Sequence, residues 1–200
     1  ASRLERAGLS PSAAAEKARL FAQAAEALPA GEPSAALRAF YVPGRIEVLG
    51  KHTDYAGGRS IVAAAERGFC VVARPRADAR LCIAAGGGRR AEFPIEPDLV
   101  PAAGQWANYP MTVARRLARN FPGVLCGADV AFASDLPPAA GMSSSSAMVV
   151  ATFLVLSAVN SLTQHEAYRR AIGAVEALAE YLGCVENGQS FGELAGDAGV

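Results

Sequence analysis

Ala139-Ala140-Gly141-Met142-Ser143-Ser144-Ser145-Ser146 runs without a break into the apolar stretch 147–159. This junction of a small-residue loop with an apolar helix constrains the chain more than any other feature. The first turn of a helix holds N–H groups with no intrahelical partner, and the helix dipole is positive there. Gly141 lets the backbone approach a ligand closely, and four consecutive hydroxyls add donors and a candidate Mg²⁺ ligand. Together they suit a phosphate cradle. The GxxxxGKS/T pattern is absent, so the loop is not a Walker A loop. A serine-rich N-cap with a flexible lead-in is the plainer alternative, and the residues alone leave both readings open.

Around this junction the chain mixes helices and strands. Ser10-Pro11 supplies an N-cap and an N1 proline to a helix with Ala14, Ala18, Phe21, Ala25 and Leu28 on one face, ended by Pro29, Gly31 and Pro33. Residues 38–50 place β-branched and aromatic residues about Pro43-Gly44, which predicts strand, tight turn, strand. Residues 61–74 predict a buried segment that breaks near Gly68 and continues as a strand; residues 80–85 predict a short strand before the Gly86-Gly87-Gly88 turn. A helix is predicted over 106–121, with Met111, Ala114, Leu117 and Ala118 on one side and Arg115, Arg116 and Arg119 largely opposite. Residues 129–134 read as a strand. Thr163 and Glu166 form a capping box for a last helix that runs to about Gly183, with His165 as a surface residue in the capping turn. The absence of regular βαβ alternation favours an α+β fold.

Composition excludes several classes of function. Nineteen basic residues balance nineteen acidic ones, which argues against a general phosphate-facing nucleic-acid surface. No apolar run reaches the roughly 18–20 residues of a spanning helix, and the first eight residues show no signal-peptide core. The four cysteines, Cys70, Cys82, Cys126 and Cys184, form no CxxC pair and fit neither a zinc site nor a disulfide framework. The expectation is a cytoplasmic protein without nucleic-acid or membrane partners, monomeric or weakly dimeric.

The second chemical cluster is Pro43-Gly44-Arg45-Ile46-Glu47-Val48-Leu49-Gly50-Lys51-His52-Thr53-Asp54-Tyr55-Ala56-Gly57-Gly58. Its carboxylates can accept from sugar or alcohol hydroxyls, and His52 can donate or accept. Arg45 can stabilise charge on a transferring phosphoryl group. A surface turn with a Lys51–Asp54 ion pair, worth about 0–1 kcal/mol, explains the composition equally well.

Taken together, the two clusters carry a family resemblance. Residues 43–58 resemble the first motif of the galactokinases, PGRVNLIGEHTDYNGG, a sugar-kinase branch of the GHMP kinase superfamily. Residues 141–146 resemble the superfamily's GLSSSA phosphate loop, with Met142 for leucine and Ser146 for alanine. Trp106-Ala107-Asn108-Tyr109 is similar to the W-x-N-Y stretch that galactokinases carry between those motifs. Three matches stand in the right order over roughly residues 38–160.

The resemblance implies an ATP-dependent kinase acting on a sugar hydroxyl, the anomeric one by preference, with Mg²⁺. It also implies a GHMP-kinase-type N-terminal domain, a mixed sheet packed against helices, in a two-domain α+β molecule with the site between domains. On this reading residues 1–35 are a helical extension and residues 36–200 the N-terminal domain. The superfamily's third, glycine-rich motif is not present, so the C-terminal domain is expected to be absent from this chain.

Carried over position by position, Arg45 matches the arginine near the transferred phosphate, and His52 and Asp54 match sugar-binding residues, with Glu47 and Lys51 beside them. Gly141, Met142, Ser143, Ser144, Ser145 and Ser146 match the triphosphate loop, Ser145 taking the Mg²⁺-side hydroxyl. Trp106 matches a position near the nucleotide base. Residues 185–192 resemble the AENQFVG stretch, which makes Glu186 the magnesium candidate. Gly196-Asp197-Ala198-Gly199 loosely echoes CGIMD, so Asp197 is a candidate catalytic base; a buried structural acid, a loop cap, or a base beyond Val200 are the alternatives.

Lys51 departs from the family glutamate and replaces an acceptor-only group with a donor-only one. Lysine occurs here only at Lys17 and Lys51, so drift toward arginine explains the change poorly. The expectation is a sugar with a carboxylate, such as a uronic acid. The alternatives are a kinase for neutral galactose or arabinose, and a catalytically weak regulator that senses sugar and ATP. If the 200 residues are the whole protein, phosphorylation is expected to be weak or absent.

Overall fold

A short helix α1 (Ser2–Arg6) precedes α2 (Pro11–Ala27), whose first turn is closed by Ser10 accepting the Ala13 amide at 3.3 Å. This computed structural model describes residues 1–30, 35–50, 57–102, 104–123, 125–137 and 141–200. Two antiparallel hairpins follow α2: β1 (Arg38–Leu49) with β2 (Ile61–Pro75), then β3 (Arg80–Ala85) with β4 (Arg89–Pro94). The remaining elements are α3 (Asn108–Asn120), β5 (Ala128–Ser134), α4 (Ser144–Val159), α5 (Glu166–Ala171) and α6 (Val175–Asn187). The sheet order is β1-β2-β5-β3-β4, antiparallel throughout except for the parallel β3–β5 pair. This is the mixed sheet of an α+β fold, as expected.

Strand side chains alternate between faces, and β2 shows what each face buries. Phe69, Val71 and Ala73 point to the side covered by α3 and α4, where they join Leu81, Ile83, Val130 and Phe132. Cys70 and Val72 point to the other side and meet Leu20 and Ala24 of α2. The apolar α4 is buried along Ala147, Val149, Phe153, Val155 and Leu156, and packs on β1 and β2. All four cysteines are free. No helix among the described residues is long and apolar enough to cross a membrane.

Several local expectations are corrected. Pro43-Gly44 does not turn the chain: β1 is one continuous edge strand, with a register shift between Pro43 and Arg45. Proline lacks a ladder donor, and an edge strand with a bulge is where a sheet tolerates it. Gly68 does not break β2 either. It is where β1 and β2 approach so closely that a Cβ would collide with the Val42 carbonyl and lie 2.8 Å from Pro43 Cα. Gly68→Ala is therefore expected to cost about 1–3 kcal/mol in denaturant unfolding; unchanged stability would mean that the strands do not approach this way.

The α2 face that turns inward is Ala14, Lys17, Leu20 and Ala24, while Ala18 and Ala25 stay exposed. On α3, Arg115 and Arg116 are buried rather than facing water. The capping box also fails. Thr163 lies in the 3-10 turn Leu162–Gln164, and His165, half-buried with Nε2 3.3 Å from Asn160 O, starts α5 without a side-chain cap. The last helix is then interrupted between α5 and α6, at residues 172–174.

Candidate functional site

The β1 bulge brings the first chemical cluster against the second. Between Pro43 and Arg45 the register of β1 on β2 slips, and the Arg45 amide donates instead to Met142 O at 3.1 Å. Gly44 makes the approach possible, because a Cβ there would lie 2.5 Å from Leu136 Cδ2 and 3.1 Å from Met142 O. Arg45 itself is exposed, and among the described residues its guanidinium has no hydrogen-bond or ion-pair partner. Glu47 is half-buried opposite Val62 of β2. Lys51, His52 and Asp54 lie outside the described residues.

The serine run enters α4 through two left-handed residues, Gly141 at φ +67° and Ser143 at φ +52°. A non-glycine residue held there carries strain of roughly 1–3 kcal/mol, a cost often met at ligand sites. Ser143 is the N-cap, yet its side chain closes no cap; its carbonyl accepts the Ala147 amide at 3.0 Å. The plain N-cap reading calls for a hydroxyl closing the first turn. The observed geometry instead leaves the positive end of a 16-residue helix without one.

Ser144 and Ser145 face a cavity of about 470 Å³ that also reaches Trp106, Phe132, Leu136 and Arg89. Trp106 meets Phe132 edge to face at 6.1 Å, and the Arg89 guanidinium sits 5.5 Å from the Trp106 ring centroid. An aromatic wall, a cation and two hydroxyls at a helix N-terminus can hold a flat ring at one end and an anion at the other. Arg89 escaped the sequence reading. It follows a glycine turn without a motif of its own, and only the fold carries it to Trp106.

Ser146 turns the other way. Its hydroxyl donates to Glu186 Oε1 at 3.0 Å, so it is Ser146, rather than Ser145, that pairs with the carboxylate of α6. The reason is helical geometry: consecutive residues of the first turn point about 100° apart, and the α6 side receives Ser146. A hydroxyl and a carboxylate are hard oxygen donors of the kind Mg²⁺ takes alongside water and phosphate oxygens. Among the described residues no three His, Cys, Asp or Glu side chains gather into a metal cage.

Asp197, the candidate base, has the surroundings of the alternative reading, a buried structural acid. Its side chain is 1% exposed and bound by Arg115 Nε at 2.8 Å and Arg116 Nη1 at 3.4 Å, with Oδ1 also accepting the Gly199 amide at 3.0 Å. Arg115 further donates to Leu99 O and Gly199 O, and Arg116 to Asn120 Oδ1 and Gln189 O. A carboxylate so enclosed has no face for a substrate hydroxyl. It anchors the segment after α6, which folds back so that Val200 N reaches Glu186 O at 3.2 Å.

Comparison with known proteins bears on both clusters. Residues 108–189 match the family described as "GHMP kinases N terminal domain", and residues 31–75 match the "Galactokinase galactose-binding signature". Galactokinase from Roseiflexus sp. (strain RS-1) is 38% identical over 123 residues, 60% of this chain and 31% of that protein. Galactokinase from Pasteurella multocida (strain Pm70) is 33% identical over 113 residues, 56% of this chain and 29% of that protein. The chain thus spans about 30% of the length of these curated relatives. Among solved structures, Lactococcus lactis galactokinase complexed with galactose matches at TM-score 0.68 and 24% identity, over 85% of this chain and 42% of that one. Methanococcus jannaschii mevalonate kinase matches at TM-score 0.58 and 15% identity, over 78% and 47%. At these identities the structural likenesses show the fold.

Proposed function

We propose that this chain, which carries a GHMP kinase N-terminal domain behind a galactokinase galactose-binding signature, serves the ATP-dependent phosphorylation of a neutral sugar, galactose foremost. The observation that carries this reading is the 3.1 Å bond from Arg45 N to Met142 O. It ties the strand of the sugar signature to the phosphate loop, so a sugar and a nucleotide held by the two clusters would lie side by side.

The amides and hydroxyls of residues 141–146 hold the nucleotide's phosphates at the positive end of α4. Trp106 receives the base. Arg45 offsets negative charge as the phosphoryl group moves to the sugar hydroxyl. Glu47, Lys51, His52 and Asp54 fix the ring and keep the hydroxyl in line. Ser146 and Glu186, with Ser145 on the same turn, would hold Mg²⁺, and the bound ion would neutralise phosphate charge. Asp197 is held between two arginines, and what the described residues supply is positioning and charge stabilisation, which carry most of the catalysis in phosphoryl transfer; a base would come from beyond Val200.

The acidic-sugar expectation drawn from Lys51 gives way to the neutral one. The match to the galactose-binding signature, residues 31–75, spans position 51, and the relatives matched are named galactokinases. A coupled ADP-release assay with galactose, arabinose and galacturonate separates the readings. Release is expected to be fastest with galactose. A faster reaction with galacturonate would restore the acidic sugar, and binding of both ligands without ADP release would favour a sensor.

A further inference from the structure

Lys17 projects from the middle of α2 onto the sheet and is 1% exposed. An ammonium is not left in such a place without a partner, because desolvating it costs several kcal/mol. The partner is Asp135: Lys17 Nζ binds Oδ2, and the other oxygen, Oδ1, accepts the Gly68 amide at 2.8 Å. Gly68 in turn lies at the tight crossing of β1 and β2, where no side chain fits.

Asp135 has a singular place in the chain. It is the first residue after β5, where the backbone leaves the sheet for the phosphate loop. The next residue, Leu136, lines the nucleotide cavity and packs over Gly44. The far side of the loop is fixed by Met142 O on Arg45 N at 3.1 Å. The loop is therefore pinned where it departs and where it enters α4, and the pin at its departure is a lysine from α2. That helix, residues 11–27, lies outside both family matches, so its part in the site follows from this geometry alone.

We propose that Lys17 is a positioning residue for the nucleotide. Through Asp135 it sets where the phosphate loop leaves the sheet, so α2 shapes phosphate binding although none of its residues lines the cavity. The proposal rests on the reading of residues 141–146 as a nucleotide loop.

Trp106 is the only tryptophan and lines the cavity, so its fluorescence reports nucleotide binding without any turnover. The experiment titrates MgATP into the unmodified protein, Lys17→Met, and the pair Lys17→Met with Asp135→Asn. The double variant keeps an acceptor for the Gly68 amide and leaves no buried charge unpaired. Galactose affinity is measured beside it by calorimetry, and each protein is melted.

The double variant is expected to stay folded, to bind ATP about tenfold more weakly and to bind galactose within about twofold of the parent. A folded double variant with unchanged ATP affinity would overturn the proposal, as would equal losses for ATP and sugar, which mark general loosening. No ATP response in the unmodified protein would instead overturn the nucleotide reading beneath it.

Discussion

Asp197→Ala is expected to unfold this chain at a temperature at which the parent is fully native. The substitution leaves two guanidiniums, 5% and 0% exposed, without their shared counter-charge. Removing one partner of a buried ion pair costs about 3–5 kcal/mol, roughly 6–20 °C of Tm in a chain of this size. Asp197 also holds the return segment whose Val200 amide closes on Glu186 O, so the C-terminal end of α6 should loosen with it. Asp197→Asn should fall between, keeping an acceptor for one arginine but no charge. Circular dichroism melts of the three proteins check the order. A catalytic aspartate would behave in the opposite way, with a normal melt and lost turnover. A normal melt for Asp197→Ala would thus return the residue to the candidate bases.

The same cluster shows where the sequence could and could not be read. The junction of the serine run with α4, and β3 and β5, were legible because their determinants are local: small residues before an apolar run, or a short β-branched segment between turns. Arg115 and Arg116 were not. By periodicity they belong to a solvent face, and the carboxylate that pairs with both lies 82 and 81 residues farther on. Lys17 repeats the case, its partner lying 118 residues away. Gly68 and Pro43-Gly44 read as breaks, since glycine and proline break chains locally. In the fold they are the places where two strands, and then a strand and a loop, come closer than a side chain allows. Which of the four serines meets Glu186 was not legible, because a run of four carries no phase; only the position of α6 brings Ser146 to it.

On the proposed function, Arg45→Ala should leave the fold alone and slow the reaction steeply. The side chain is exposed and, among the described residues, has no partner to lose, while its structural contact is made by the backbone amide that alanine keeps. Surface changes of this kind stay within about 0.5 kcal/mol, so Tm should be unchanged. Turnover should fall on the order of 10²–10³-fold, the usual loss when one preorganised donor to developing charge is removed. The sugar KM should move only a few-fold, because charge builds on the phosphoryl group in the transition state and not on the bound sugar. Arg45→Lys should recover part of the rate, since a point charge replaces a planar fork that can grip two oxygens. The split matters more than the size. A large rise in sugar KM with turnover preserved would make Arg45 a sugar ligand, and the bond from β1 to Met142 would then bring two proposed binding sites together without a group that acts between them.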